Sequence, residues 1–352
     1  MSVPKKPAKT ALGARIETLA FAAIGVSIFW VLNLPLPFLF GPMFACLVGA
    51  LLQRPLKGLG QVSVAARTIL GVAVGASITP EVVSQLPQMI ASVALIPLYI
   101  GLIALIGVPF FYRICGFDFP TAWYAAMPGG LQDMIIFGEE AGGDVRALSL
   151  IHATRVLIIV TIAPIILVFG FGATLDTPIG APASTLPPTE LALLAVAALI
   201  GWKGGERIGL FGASILGPMM VTAVLSLSGF IHTRPPAEAI IVAQFMIGLG
   251  IGVGYVGVTL VELRKSVLSG VVFTAILALL AAGFTWVVVS TGLAPPVEGF
   301  LAFSPGGQAE MTVLSIVAGA DLGFVIVHHL TRVFLVITGA PLAARWLMRR
   351  SK

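Results

Sequence analysis

The chain alternates long apolar runs with short breaks rich in glycine, proline and charge. The runs fall at about 17–33, 37–53, 62–79, 89–112, 148–170, 190–203, 208–229, 239–257, 266–290 and 323–346. An α-helix needs roughly 20 apolar residues to cross the hydrocarbon of a bilayer, and most of these runs come close to that. The pattern predicts an all-α integral membrane protein with about ten transmembrane helices.

The same pattern repeats. Residues 127–164, "MPGGLQDMIIFGEEAGGDVRALSLIHATRVLIIVTIAP", are answered 177 positions later by residues 304–341, "SPGGQAEMTVLSIVAGADLGFVIVHHLTRVFLVITGAP". "LFGPMFACLVGALL" at 39–52 is answered by "LGPMMVTAVLSLSG" at 216–229, and "ILGVAVGASI" at 69–78 by "MIGLGIGVGY" at 246–255. The chain divides accordingly into a basic N-terminal segment (1–16), a first membrane repeat (17–172), an extracytoplasmic linker (173–189) and a second repeat (190–352). With five spans in each half, the second copy enters from the opposite side, so the prediction is two inverted five-helix repeats.

Charge supports that count. Arg54, Lys57, Arg113, Lys203, Arg207, Arg264, Lys265, Arg349 and Arg350 all fall on the cytoplasmic side of a ten-span chain that starts inside, and only Arg234 dissents. Twelve spans would export four of these cations. The expected location is a prokaryotic cytoplasmic (inner) membrane, with both termini in the cytoplasm. The net charge of +5 is thus a topology signal rather than a nucleic-acid surface. Hydrophobic residues make up 58% of the chain and charged ones 10%, a composition that fits bilayer and leaves no separate soluble domain.

The polar exceptions carry the candidate chemistry. Pro128, Gly129 and Gly130 match Pro305, Gly306 and Gly307. A Pro-Gly-Gly run cannot continue a helix and exposes backbone groups, so each is either a helix break within a re-entrant hairpin or a surface turn. Asp133 and Glu310 follow, each before a methionine, placed to cap a half-helix or to titrate. Asp144, His152 and Arg155 recur as Asp321, His329 and Arg332 on one helical stripe, although Asp and Arg stand about 16 Å apart along the axis. The aspartates also suit N-caps, because each follows glycine just before an apolar run. The arginines lie within their spans, where a partner or aqueous path is expected. His328 has no counterpart, since Ile151 stands there. Gly71, Gly75, Gly248, Gly250, Gly252 and Gly254 read as helix-packing positions, and "GVGYVG" at 252–257 lacks the strand a nucleotide fingerprint needs. Cys46 and Cys115 have no metal or disulfide spacing. No cofactor, metal or catalytic residue is expected.

The duplicated "PGG", acid and D…H…R pattern resembles the membrane-spanning AbrB family, which carries two copies of such a domain. That family is distinct from the small soluble DNA-binding protein of the same name, a β dimer. The resemblance carries labels of gene-expression regulator and ammonia monooxygenase. It also implies kinship with inverted-repeat cation antiporters and bile-acid-type symporters. Transport by alternating access is the function this implies. Half-helix N-termini at the two breaks favour an anionic group and Arg155 and Arg332 can hold a carboxylate, so the expected solute is a small organic anion or zwitterion, coupled to H⁺ or Na⁺. The expected partners are that solute, its coupling ion and the lipid bilayer. A homo-oligomer is left open, and no nucleic acid is expected. Indirect regulation of gene expression is the second reading, and monooxygenase activity is the third.

Overall fold

The computed structural model describes residues 10–34, 36–210 and 212–350. The first nine residues of the expected basic segment, together with Ser351 and Lys352, lie outside that description. Every apolar run becomes a helix, and no strand occurs among the described residues. The first half contains α1 (Ala11–Val31), α2 (Pro37–Leu51), α3 (Gln61–Ala76), α4 (Pro80–Val93), α5 (Leu95–Pro109), α6 (Phe119–Ala126), α7 (Leu131–Glu140) and α8 (Val145–Ile165). The second half contains α9 (Pro188–Arg207), α10 (Ala213–Leu227), α11 (Ala237–Val253), α12 (Leu260–Glu262), α13 (Leu268–Ser290), α14 (Pro296–Phe303), α15 (Gln308–Val317) and α16 (Leu322–Arg350).

Single π turns at Phe110–Ile114, Ile166–Gly170 and Leu263–Val267 extend α5 and α8 and join α12 to α13. Among the described residues, five segments are long and apolar enough to cross a bilayer: Ala11–Val31, Pro80–Ile114, Val145–Gly170, Leu260–Ser290 and Leu322–Leu347. Four shorter apolar helices, α2, α3, α10 and α11, accompany them. α1 begins at Ala11, inside the expected N-terminal segment.

Two compact units emerge. One comprises the described residues up to Arg67 with Ile241–Thr259, the other Thr68–Ile240 with the chain from Leu260 on. Within the first, α1 and α2 touch backbone to backbone, because a Cβ at Gly25 or Gly41 would overlap the other's main chain. On α2, Leu39 O faces Gly248 and Met43 O faces Gly252, both of α11. Within the second unit the arrangement recurs: Gly201 of α9 meets Gly217 of α10, while Gly71 and Gly75 of α3 lie on Ile215 O and Met219 O. Such close approach is what small residues allow between helices in lipid. Each helix pair therefore takes its third member from the other half of the chain.

The turns repeat as well. Leu36, at the N-cap of α2, has φ 49, where its counterpart Gly212 has φ 58. That left-handed conformation suits glycine and is uncommon for leucine. The linker expected over 173–189 is tied down, with Thr177 N–H donating to Val317 O (3.2 Å) and Ala181 O accepting from Ala237 N–H (3.0 Å).

Candidate functional site

Both Pro-Gly-Gly runs break helices, and both lie in the second unit. α6 ends at Ala126 and α7 starts at Leu131; α14 ends at Phe303 and α15 starts at Gln308. Each pair folds back as a helical hairpin whose two ends meet. Asp144 N–H, just beyond α7, donates to Thr121 Oγ1 at the start of α6 (2.8 Å). At the matching place Asp321 N–H donates to Glu298 Oε1 at the start of α14 (3.1 Å). At 1.5 Å per residue, arms of 8 and 10 residues reach roughly 12–15 Å, about half of a hydrocarbon core.

A helix that stops inside a protein leaves its last carbonyls without partners. Here the buried arginines and histidines supply them. Arg155 Nη1 and Nη2 donate to Met127 O (3.2 Å) and Gly129 O (2.8 Å). Arg332 repeats this on Ser304 O (2.7 Å) and Gly306 O (2.8 Å). His152 Nε2 lies 3.0 Å from Tyr124 O, and His329 Nε2 2.8 Å from Leu301 O. A carbonyl oxygen only accepts, which assigns the proton to Nε2 in both. His329 Nδ1 then accepts from Arg332 Nη2 at 3.1 Å, whereas His152 Nδ1 is buried with no partner. Tyr99 of α5 completes the second break by donating to Phe303 O (2.9 Å), and its counterpart position holds Ile276. Arg155 is 3% exposed and Arg332 2%, so these are charges held inside protein. The Nε atoms of both arginines and Nε2 of Gln308 are buried donors without a partner.

The acids divide into two kinds. Asp133 and Glu310, three residues after the N-caps Gly130 and Gly307, fold their carboxylates back over those glycines. Met134 and Met311 lie against Gly129 and Gly306, which explains why each break is followed by methionine. Asp144 and Asp321 are exposed and cap the next helices, accepting from Ala147 N–H (3.0 Å) and Phe324 N–H (3.1 Å). The structure thus gathers Pro128, Gly129, Gly130, Asp133, His152 and Arg155 at one break. Pro305, Gly306, Gly307, Glu310, His329 and Arg332 gather at the other. It leaves both aspartates at the mouths of the hairpins, away from the arginines. α15 packs on α8, so the two breaks belong to one assembly of helices. Among the described residues, no three His, Cys, Asp or Glu side chains converge on a metal-sized space.

Both copies of the duplicated break, with their arginine clamps, lie within the part of the chain that a known family matches. A family model described as "Transition state regulatory protein AbrB" matches residues 38–348. The chain belongs to the AbrB family. Within reach of this AbrB-family chain is an Escherichia coli (strain K12) protein named "Putative regulator AbrB", 25% identical over 330 residues, covering 91% of this chain and 92% of the relative. A Bacillus subtilis (strain 168) protein named "Uncharacterized protein YhjN" is 28% identical over 298 residues, covering 78% of this chain and 75% of the relative.

Tyr99, Thr121, Glu298 and Gln308 are parts of the site that the sequence pattern did not single out. Thr121 and Glu298 occupy matched positions but differ in type, and Tyr99 has no repeat partner, so the 177-residue comparison passes over all three.

Proposed function

We propose that this AbrB-family protein is a secondary transporter of a small organic anion or zwitterion, coupled to H⁺ or Na⁺ and working by alternating access around the two hairpins. One observation carries the reading: a buried, duplicated helix break whose carbonyls are held by Arg155 and Arg332. Irregular backbone at membrane depth is tolerated where protein or a cavity satisfies it, and paired breaks of this kind mark the sites of many transporters. Ten spans in two inverted repeats, with the hairpins entering from opposite faces, complete the proposal.

The break supplies a coupling chemistry. The N-termini of α7 and α15 carry partial positive charge, and Asp133 and Glu310 now lie over them. A proton or cation taken by a carboxylate frees that helix end for the carboxylate of a solute. The unpartnered donors of Arg155, Arg332 and Gln308 favour a ligand richer in acceptors than in donors.

An untargeted metabolite comparison between deletion and overexpression strains tests the proposal. One small anion or zwitterion is expected to move in opposite directions, and its uptake into proteoliposomes should be abolished by Arg155→Ala or Arg332→Ala in protein that stays monodisperse. The regulator reading rests on the description of the family model and the name of the Escherichia coli relative. A correctly inserted, transport-dead variant that keeps its transcriptional effect would favour regulation as a separate activity.

A further inference from the structure

His328 of α16 is fully buried, and its counterpart 177 positions earlier is Ile151. Its Nδ1 lies 2.8 Å from Phe324 O, which can only accept, so Nδ1 carries a proton. Its Nε2 lies 3.0 Å from Ser92 Oγ of α4, and that oxygen is also 2.9 Å from Met89 O. The single hydroxyl proton serves one acceptor at a time. Pointed at Nε2, it leaves the imidazole neutral. Pointed at Met89 O, it presents an oxygen lone pair to Nε2, which must then donate, and the ring is an imidazolium. Both protonation states are hydrogen-bonded, and one rotation of a hydroxyl converts the surroundings of one into the other.

The first half shows that this contact can be built without histidine. The packing of the Leu263–Val267 turn and α13 on α8 is the counterpart of α4 and α5 on α16. Ser269 stands 177 positions after Ser92, and its hydroxyl turns to Lys265 O in its own helix. Gly270 lies beside Ile151, where an added Cβ would be 3.2 Å from Ile151 O. Isoleucine thus fills in one half the place that an imidazole fills in the other. Burying a polar ring in place of an aliphatic one is unfavourable unless its nitrogens are paired.

We propose that His328, with Ser92 as its hydroxyl switch, is a proton-uptake site present in one half only. A proton from water adds to the Nε2 lone pair and forms an N–H bond. The Ser92 O–H swings from Nε2 to Met89 O, and no other covalent bond changes. The charged ring holds α4 more firmly than the neutral one, because charge-assisted hydrogen bonds are stronger. His328 also packs edge-on against Phe303, 5.8 Å between ring centroids, and Phe303 is the last residue of α14 before the second break. Proton uptake therefore tightens the setting of the second hairpin and leaves the first alone.

The ionisable groups around it are few. On α16 itself, His329 and Arg332 are engaged with Leu301 O, Ser304 O and Gly306 O. α5 brings Tyr99, already bonded to Phe303 O, and α15 brings Glu310, folded over Gly307. Glu298 of α14 is held by Asp321 N–H, and Glu81 of α4 stands eleven residues before Ser92.

The inference goes beyond the transport reading and does not depend on it, so purified full-length protein without solute is the test material. ¹⁵N-histidine spectra are recorded from about pH 8 to about pH 4, with the His328 signals assigned by their loss in His328→Ile, the residue the first half uses. The expected result is conversion of the His328 ring to imidazolium, displaced to lower pH in Ser92→Ala, where Nε2–H loses its acceptor. Amides of residues 308–314 should then exchange about fivefold more slowly on acidification, after correction for intrinsic rates, from the added strength of a charge-assisted bond. That slowing should vanish in His328→Ile. A His328 signal that stays neutral across the range overturns the proposal, as does a hairpin response that survives in His328→Ile or a titration unmoved in Ser92→Ala. The serine variant keeps the test decisive should the isoleucine variant not fold.

Discussion

Each arginine of the repeated motif spans two backbone carbonyls two residues apart, and that bidentate reach is what makes arginine the suitable residue. The sequence marked Arg155 and Arg332 as charges within their spans that need a partner or an aqueous path, and the aspartates on the same stripe stand too far along the axis to be that partner. The Pro-Gly-Gly runs signalled freed backbone groups, but nothing in the pattern tied those carbonyls to arginines 26 and 28 residues further on. The aspartates were legible in their other role, as acids following glycine just before an apolar run, and the structure places Asp144 and Asp321 as N-caps. If capping is their contribution, Asp144→Asn and Asp321→Asn should unfold at the wild-type temperature in detergent, since Asn caps about as well as Asp. Alanine at either place should cost about 1 kcal/mol. Equal destabilisation by Asn and Ala would show that the charge matters, and would return the aspartates to the site.

At the level of the element, glycines separate into those that touch backbone and those that only look as if they should. The spacing of Gly248, Gly250, Gly252 and Gly254 suggested packing for all, but one helix can lay only one face on a neighbour. Gly248 and Gly252 meet α2, while a Cβ at Gly250 would meet nothing within 4 Å. Gly250→Ala should therefore be neutral or stabilising by up to about 1 kcal/mol, the usual preference of a helix for alanine. Gly201→Val, placed against the main chain of Gly217, should lower the thermal midpoint sharply or prevent folding, because backbone cannot step aside as a flexible side chain can. Thermal scans of both variants in one detergent decide this, and a tolerated valine at Gly201 would mean the α9–α10 crossing is looser than described. The long helices were readable from apolar runs, whereas the short arms α6, α7, α14 and α15 fall between those runs. The closing of each hairpin was not, because it rests on Thr121 in one copy and Glu298 in the other, two residues that accept from the same kind of amide but share no sequence pattern.

At the scale of the whole molecule, the exchange of third helices, α3 onto α10 and α11 onto α2, means that each half completes a helix pair of the other. A duplication assembled in this way fixes the two halves to each other. Their direction across the membrane then follows from the number of crossings. If each hairpin enters and leaves on one face, five crossings separate matched positions and the second copy is inverted; if the hairpins cross, the copies are parallel. Single cysteines in a Cys46→Ala, Cys115→Ala background distinguish the two, because the loops just after α7 and α15 are matched positions. Glu140→Cys, with Gly58→Cys, should resist an impermeant thiol reagent in intact cells, whereas Ala320→Cys, with Ser184→Cys and Thr291→Cys, should react. Glu140 is exposed and stands at the end of its hairpin arm, so failure to label there reports the side of the membrane rather than burial. Labelling of Glu140→Cys and Ala320→Cys from the same side would make the repeats parallel. The two breaks would then no longer approach from opposite faces, and the alternating-access proposal would lose the symmetry on which it stands.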